Sequence, residues 1–402
     1  MKNNFHNIKI LLILLILHSS FLILHSQELT LLFAGDAMQH QSQIDNAYRK
    51  GVYDYSSYFK YLKNDISEAD VAIVNLEVTL GGKPYTGYPT FSAPDEYAVA
   101  LKDAGFDVFL TANNHCLDKG KKGLERTIDT LDSLEVRHLG TYKNIDEKMK
   151  SYPMMLTKNN IRMAFLNYTY GTNGFKVSSP NMVNYIDTTQ IKKDIENVRG
   201  FLSADLVIVA IHWGDEYQLI QNKEQERLAN LMVREGADLV IGSHPHVVQP
   251  TQVVKNDKGE ITNVIVYSLG NFVSGMSKEN TDGGQMIKVV VSKKDFRTKI
   301  KSCSYQLIYV DRQRNEGKID FTLLPVSRFE NMKDSISSTS YNKMMIFAKN
   351  TRELFNKYNI DCFEDSGNEE KTENLFPKEI PFKPTWKRTI LPQTFSLPLR
   401  LE

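Results

Sequence analysis

Cysteine is scarce in this chain: Cys116, Cys303 and Cys362 are the three in 402 residues. So few exclude a disulfide scaffold, and an odd number in an exported chain leaves at least one thiol free or shared between chains. Cys303 with Cys362 is the one intramolecular bond to expect. Cys116 beside His115 lacks the neighbours that mark an activated nucleophile. An excess of charge is missing too. With 49 basic against 48 acidic residues, nothing electrostatic invites nucleic acid, and no nucleic-acid partner is expected.

The longest apolar run lies at the start. Lys2 and Lys9 precede and flank the unbroken apolar stretch 10–17, and residues 21–26 lead to polar Gln27. This pattern predicts a secretory signal peptide over 1–26. Residues 8–24 come close to the about 20 apolar residues of a membrane span, but His18, Ser19 and Ser20 interrupt them. Membrane contact is expected only through this leader, if it stays uncleaved. No cysteine lies near the cleavage region, which argues against a lipid anchor.

From residue 28 to about 275 one grammar repeats: an amphipathic helical stretch, a short apolar strand, then a polar motif. Residues 29–34 run into Gly35-Asp36, 71–74 into Asn75-Leu76-Glu77, and 108–110 into Thr111-Ala112-Asn113-Asn114-His115. Further on, 206–211 lead to His212-Trp213-Gly214, 238–241 to Gly242-Ser243-His244-Pro245-His246, and 264–267 to Ser268-Leu269-Gly270-Asn271-Phe272. Helical faces such as Ile191, Ile195, Val198 and Leu202 recur at spacings of three and four and belong to the core. Alternating helices and strands predict a mainly parallel or mixed sheet covered by helices, with ligands gathering outside the strand carboxyl ends. After Gly283-Gly284 three strands are expected, over 286–291, 304–310 and 319–324, then one helix over 341–358. The last forty residues are acidic, then Pro-rich. The domain reading is a leader over 1–26, a main domain over 28–327 with its motif core at 30–275, and a helix with a Pro-rich tail over 328–402.

Those strand ends carry donors. Apart from the leader's His6, His18 and His25, four histidines follow apolar runs: His115, His212, His244 and His246. Only His40 and His138 stand elsewhere. Imidazole is the commonest metal ligand, and His244 and His246, two apart at a strand end, can lean toward one point. The ligand set is Asp36, Glu77, Asn114, His212, His244 and His246. Oxygen and imidazole donors without thiolate suit Mn, Fe or Zn. Six donors exceed the needs of one four-coordinate ion, so either a single octahedral ion or a pair bridged by a carboxylate would use them; the pair, two divalent ions with Glu77 as the bridge, is the favoured reading. Asp36 and His246 complete one position, and Asn114, His212 and His244 the other. His115 would protonate a leaving oxygen or hold phosphoryl oxygens. Asp118 either hydrogen-bonds His115 and fixes its tautomer or caps the helix that follows. Each residue also has a bland alternative: Asp36 as a turn former, Asn114 as a cap, Glu77 as a solvated strand-end charge. Trp213 and Tyr217 read as packing or a cleft wall.

Taken in order, Gly35-Asp36-Ala37-Met38, Asn75-Leu76-Glu77, Ala112-Asn113-Asn114-His115 with Asp118 and Gly120, His212-Trp213-Gly214 with Glu216-Tyr217, Gly236-Ala237-Asp238 through His246, and residues 268–272 resemble the CapA family of bacterial capsule synthesis proteins. The resemblance implies a calcineurin-like metallophosphoesterase fold, a four-layer αββα sandwich, here with a β-rich C-terminal closure and a variable tail. It also implies a role in making or anchoring poly-γ-glutamate at the bacterial envelope or in the periplasm. Asn114-His115 resembles the Asn-His motif of metallophosphoesterases, and His244 with His246 their closing histidine pair. Two departures stand out: Met38 replaces a histidine usual two residues after the first aspartate, and Glu77 replaces a second aspartate. One metal position is therefore expected to be weak. His40 is a minority candidate to fill it.

Three activities fit. The first is a metal-dependent hydrolase acting on a phosphoester or an anionic envelope polymer. The second is a non-catalytic subunit that binds the polymer and works with capsule synthase subunits in its anchoring and export. The third is a γ-glutamyl amide hydrolase or transferase.

Overall fold

Strands that alternate their buried side chains between two faces set this architecture. The structure, a computed structural model, describes residues 27–315 and 317–365; the expected leader and Pro-rich tail lie outside them. One half of the main sheet holds β1 (Gln27–Ala37), β2 (Val71–Leu76), β3 (Val108–Leu110) and β4 (Arg137–Leu139), all parallel. The other holds β5 (Met154–Lys158), β6 (Ile161–Thr169), β7 (Leu206–His212), β8 (Leu239–Ser243), β9 (Thr251–Lys255) and β10 (Ile261–Val266). β11 (Asn271–Val273) pairs with the end of β1. β12 (Gly283–Lys294) and β13 (Arg297–Asn315) form a long antiparallel hairpin extended by β14 (Lys318–Pro325) and β15 (Phe363–Glu364). The hairpin carries the ladder from one half to the other, in the order β4-β3-β2-β1-β12-β13-β10-β8-β7-β6-β5.

The helices that cover these faces are α1 (Gln41–Ala47), α2 (Lys63–Ser67), α3 (Asp95–Ala104), α4 (Gly120–Ser133), α5 (Thr188–Gly200), α6 (Lys223–Glu235) and α7 (Ser338–Tyr358). Leu29, Leu31 and Phe33 of β1 share one core with Phe165, Ile208 and Ile241 of β6, β7 and β8, so the two inner faces meet. The alternate residues Leu32 and Ala34 point the other way, into a second core with Tyr97 and Leu101 of α3. On the far side Val207, Val209 and Ile211 of β7 pack on Ile191 and Ile195 of α5 and Leu228 and Met232 of α6. The fold is therefore a four-layer α/β sandwich, helix, sheet, sheet, helix, whose two sheets are joined by hydrogen bonds along one edge of each. α7 returns to the inner core with Met344, Phe347 and Phe355.

Cys303 of β13 and Cys362, the residue before β15, come together as free thiols, their sulfurs 3.7 Å apart, so the expected bond is not made although its partners meet. Among the described residues no helix is long and apolar enough to cross a membrane.

Candidate metal centre

The donors gather at one end of the sandwich because the strands that deliver them run parallel. Asp36 leaves β1 at a register shift and donates its N–H to the Gly270 carbonyl at 3.0 Å. A Cβ on Gly35 would stand 2.0 Å from that same oxygen, so only glycine lets the two chains approach. β2 delivers Asn75 and Glu77, two apart and therefore on one side. His212 is the last residue of β7. β8 stops at Ser243, so strand alternation does not aim the closing histidines as expected from their spacing. Instead His244 and His246 take left-handed backbone, with φ of 104° and 58°. Such conformations cost of order 1–3 kcal/mol each and persist where the surroundings hold them. Asp36 Oδ2 does so, accepting the His244 N–H at 3.3 Å and lying 3.1 Å from His246 Nδ1.

All the proposed ligands are buried, and their atoms converge. Glu77 Oε1 lies 3.5 Å from His212 Nε2 and 3.7 Å from His246 Nε2, yet has no hydrogen-bond partner of its own. His244 Nδ1 is likewise buried and unsatisfied. Asn114 Oδ1 meets His212 Nε2 at 2.8 Å. Three groups of ligand atoms lie within 4.8 Å of one another: Glu77, His212 and His244; Asp36, Glu77 and His246; and Glu216, His244 and His246. Burial, then the charge of Asp36, pushes the Glu77 carboxyl well above the ordinary range. Burial, then neighbouring imidazoles, lowers His212 well below its usual value, and burial, then His246, brings His244 down to about 3. Burial leads all three shifts and disfavours charge of either sign, which keeps the imidazoles neutral, the form that ligates a metal. Divalent cations fit this donor set.

His115 is set against this cluster. Its Nδ1 is 2.7 Å from Asp118 Oδ2, which also accepts the Phe91 N–H at 2.7 Å. The helix α4 starts after Lys119 without a side-chain cap, so Asp118 holds His115 and does not cap that helix. Asn114 contacts His212 and, through Nδ2, Asn173 at 3.2 Å, again with no capping role. Met38 packs in the outer apolar core. His40 accepts the Gly275 N–H at 3.2 Å and belongs to no ligand group among the described residues. Burial raises the Cys116 thiol to about 12, the opposite of activation.

Three contributors escape the sequence reading of the ligand set. Asn75 donates to Asp36 Oδ1 at 2.8 Å and lies 3.4 Å from Glu77 Oε2. Asn271 brings Oδ1 within 3.2 Å of His246 Nδ1. Glu216, exposed, reaches His244 and His246. All three sit inside motifs already singled out, and a donor in such a motif is the one available signal.

The family model described as bacterial capsule synthesis protein PGA_cap matches residues 30–276. The chain is 31% identical over 278 residues to a capsule biosynthesis protein CapA of Bacillus anthracis, covering 65% of this chain and 64% of that protein, just under two thirds of its length. It is 30% identical over 275 residues to the PGA biosynthesis protein CapA of Bacillus subtilis, covering 65% of this chain and 67% of that one. Among solved structures it is similar to a calcineurin-like phosphoesterase, YfkN of Bacillus subtilis, at 12% identity and a TM-score of 0.41, over 82% of this chain and 99% of the other.

Proposed function

The chain belongs to the PGA_cap family of bacterial capsule synthesis proteins, and from that premise we propose that it is a metal-dependent hydrolase of metallophosphoesterase type, exported to the envelope, with an anionic polymer or a phosphoester as substrate. The observation that carries this reading is the pair of buried, unsatisfied ligand atoms, Glu77 Oε1 and His244 Nδ1, facing the same donors. Each such atom left unpaired costs about 1–3 kcal/mol, a cost that a bound cation removes.

Glu77 would be shared between two positions, with Asp36 and His246 on one and Asn114, His212 and His244 on the other. Glu216 is a further carboxylate for His244 and His246. Divalent Mn, Fe or Zn, when bound, supplies Lewis-acid polarisation of a phosphoryl or carbonyl group. His115 moves the proton. As a carboxylate, Asp118 only accepts, so it holds the proton on His115 Nδ1 and orients the ring, and a second proton, carried on Nε2, would be the one that passes to the leaving oxygen. An anionic substrate is supported by a cleft of about 520 Å³ behind the 275–282 loop, where Lys278, Arg312, Arg314 and Lys343 outnumber Glu279 and Asp282. Lys278 also lies 3.5 Å over the ring of Tyr217, whose centroid is 6.3 Å from that of His246. The name of the Bacillus subtilis relative puts poly-γ-glutamate forward as the polymer.

Met38 favours a second reading. Its side chain is committed to the apolar core, one ligand position is poorer for it, and a polymer-binding assembly subunit acting with capsule synthase subunits needs no complete pair of ions. Metal analysis of the purified protein, with turnover of a generic phosphodiester after adding Mn, Zn or Fe, tests the first reading. A protein with no bound metal and no turnover after that addition would sink it. Combined His244→Ala and His246→Ala substitution separates the two: loss of turnover in a folded protein supports the hydrolase, and undiminished polymer binding and capsule formation support the subunit.

A further inference from the structure

The β12–β13 hairpin ends in a turn that local folding does not explain. Asp295 and Phe296 both have left-handed backbone, φ 49° and 64°. A two-residue turn of that kind favours Asn-Gly or Asp-Gly, because φ is positive at both positions. The neighbouring β5–β6 turn obeys this with Asn159-Asn160, φ 49° and 56°, since asparagine tolerates the left-handed region. Phenylalanine at such a position is strained, and its ring recovers nothing through burial, being 96% exposed. An aromatic held in strain and in water points to a surface that receives it.

The charge beside it says what kind of surface. Residues 293–301 read Lys-Lys-Asp-Phe-Arg-Thr-Lys-Ile-Lys, five cations to one acid. Lys293 pairs with Asp205 and Lys299 with Glu260. Lys294 and Arg297 stand opposite each other on either side of the turn, and Arg297 and Lys299 alternate onto one face of β13, ahead of a register shift at Lys301. The third observation is position. Gln27, where β1 begins, is in register with Lys293, so the chain enters the fold beside this tip, shortly after the apolar stretch 8–24 in sequence.

We propose that the β12–β13 tip docks on the anionic phospholipid surface of a membrane, Phe296 seated at headgroup level and Lys294 and Arg297 against lipid phosphates. β1 runs from this tip at Gln27 to the metal centre at Asp36, about 30 Å at roughly 3.3 Å per residue. Docking therefore turns the metal centre away from the bilayer, toward material outside it. The inference is independent of hydrolysis: it needs the hairpin alone.

Full-length protein mixed with vesicles of phosphatidylcholine, alone or with phosphatidylglycerol, tests it. The Phe296→Trp variant, made in a Trp386→Phe background, is expected to gain blue-shifted emission, quenched by brominated lipid, on the phosphatidylglycerol vesicles only, against a Trp386→Phe parent whose remaining Trp213 is buried. Phe296→Gly suits the turn, so its Tm should hold or rise while its binding to anionic vesicles falls about tenfold. Combined Lys294→Glu and Arg297→Glu substitution should abolish the preference for anionic lipid. Emission from Phe296→Trp that stays unquenched, or Phe296→Gly protein that binds as well as the parent, overturns the proposal. Metal content is expected to be unchanged in every one of these variants, which separates this test from that of the metal centre.

Discussion

Glu77 is a side chain whose service and whose stability oppose each other. Burial, then Asp36, raises its carboxyl well above the ordinary value, so the native state holds that proton more tightly than the unfolded chain. Its contribution to stability is present below the unfolded value near 4.5 and is lost as pH rises. At neutral pH without metal, the buried charge is a burden. Glu77→Gln is therefore expected to raise the Tm of metal-free protein at pH 7. The parent should gain about 2.7 kcal/mol from a divalent ion at a hundred times its Kd, and the variant far less. Calorimetry with and without Mn reads both effects, and a variant that melts lower than the parent in both conditions would contradict the argument. His115 and Asp118 act one through the other. If His115 transfers the proton, His115→Asn should lower kcat about 100- to 10,000-fold. Asp118→Asn, which disturbs only the ring's tautomer and orientation, should cost about 10- to 100-fold. In both, metal content and KM should stay near the parent's, so that the loss falls on kcat alone.

At the scale of elements, the centre depends on where strands stop. β8 passes so close to its neighbours that a Cβ on Gly242 would meet the Tyr267 carbonyl at 2.1 Å and Trp213 Nε1 at 2.5 Å, and those two atoms are hydrogen-bonded at 2.9 Å. Gly242→Ala must displace that bond or the end of β8. An expected loss of about 1–3 kcal/mol in urea unfolding should come with weaker metal binding, because His212 and His244 flank the same contact. Normal metal affinity in the variant would show that the closing histidines are placed independently of β8. The strand ends are legible in sequence because short apolar runs such as 71–74 and 206–211 break off into polar residues, and that is a local signal. The aim of the two imidazoles is not local. It comes from left-handed backbone at His244 and His246, held by Asp36 more than two hundred residues away. Asn75 stays hidden for a similar reason, since its role follows from the register that sets it opposite Asp36. Glu216 reaches the site through a loop folded back so that the Tyr217 N–H meets the Pro245 carbonyl at 2.8 Å.

Across the whole molecule the two sheet halves close over a dry inner core, and the polar residues they expel at one end are compressed into a volume where protonation is costly. His40, His212 and His244 all have folded values below the usual 6.5, the first at about 4 and the last at about 3, with burial the leading cause in each. Near His40 that burial is joined by the charges of His246, His115 and Arg312, against a hydrogen bond with Gln43 that works the other way. Between pH 6.5 and about 4 these three imidazoles therefore bind more protons in the unfolded chain than in the native one, and their contribution to stability, opposite in sign to that of Glu77, rises with pH through that window. It is fully present above about 6.5 and drains away as the solution is acidified. Metal binding has the same sign, because protons compete for imidazole and carboxylate. The curve for the metal-loaded protein should thus fall to meet the metal-free curve in acid. His40 allows the two contributions to be told apart, since it titrates within the fold yet joins no ligand group. In metal-free protein, His40→Gln should remove up to about 1.4 kcal/mol per pH unit, the slope of one proton, from the pH dependence of unfolding free energy between pH 4 and 6.5. Metal affinity at pH 7.5 should stay as it was. Equal slopes for parent and variant would mean that the fold leaves His40 with its ordinary affinity for protons, and that the acid sensitivity belongs to the ligands alone.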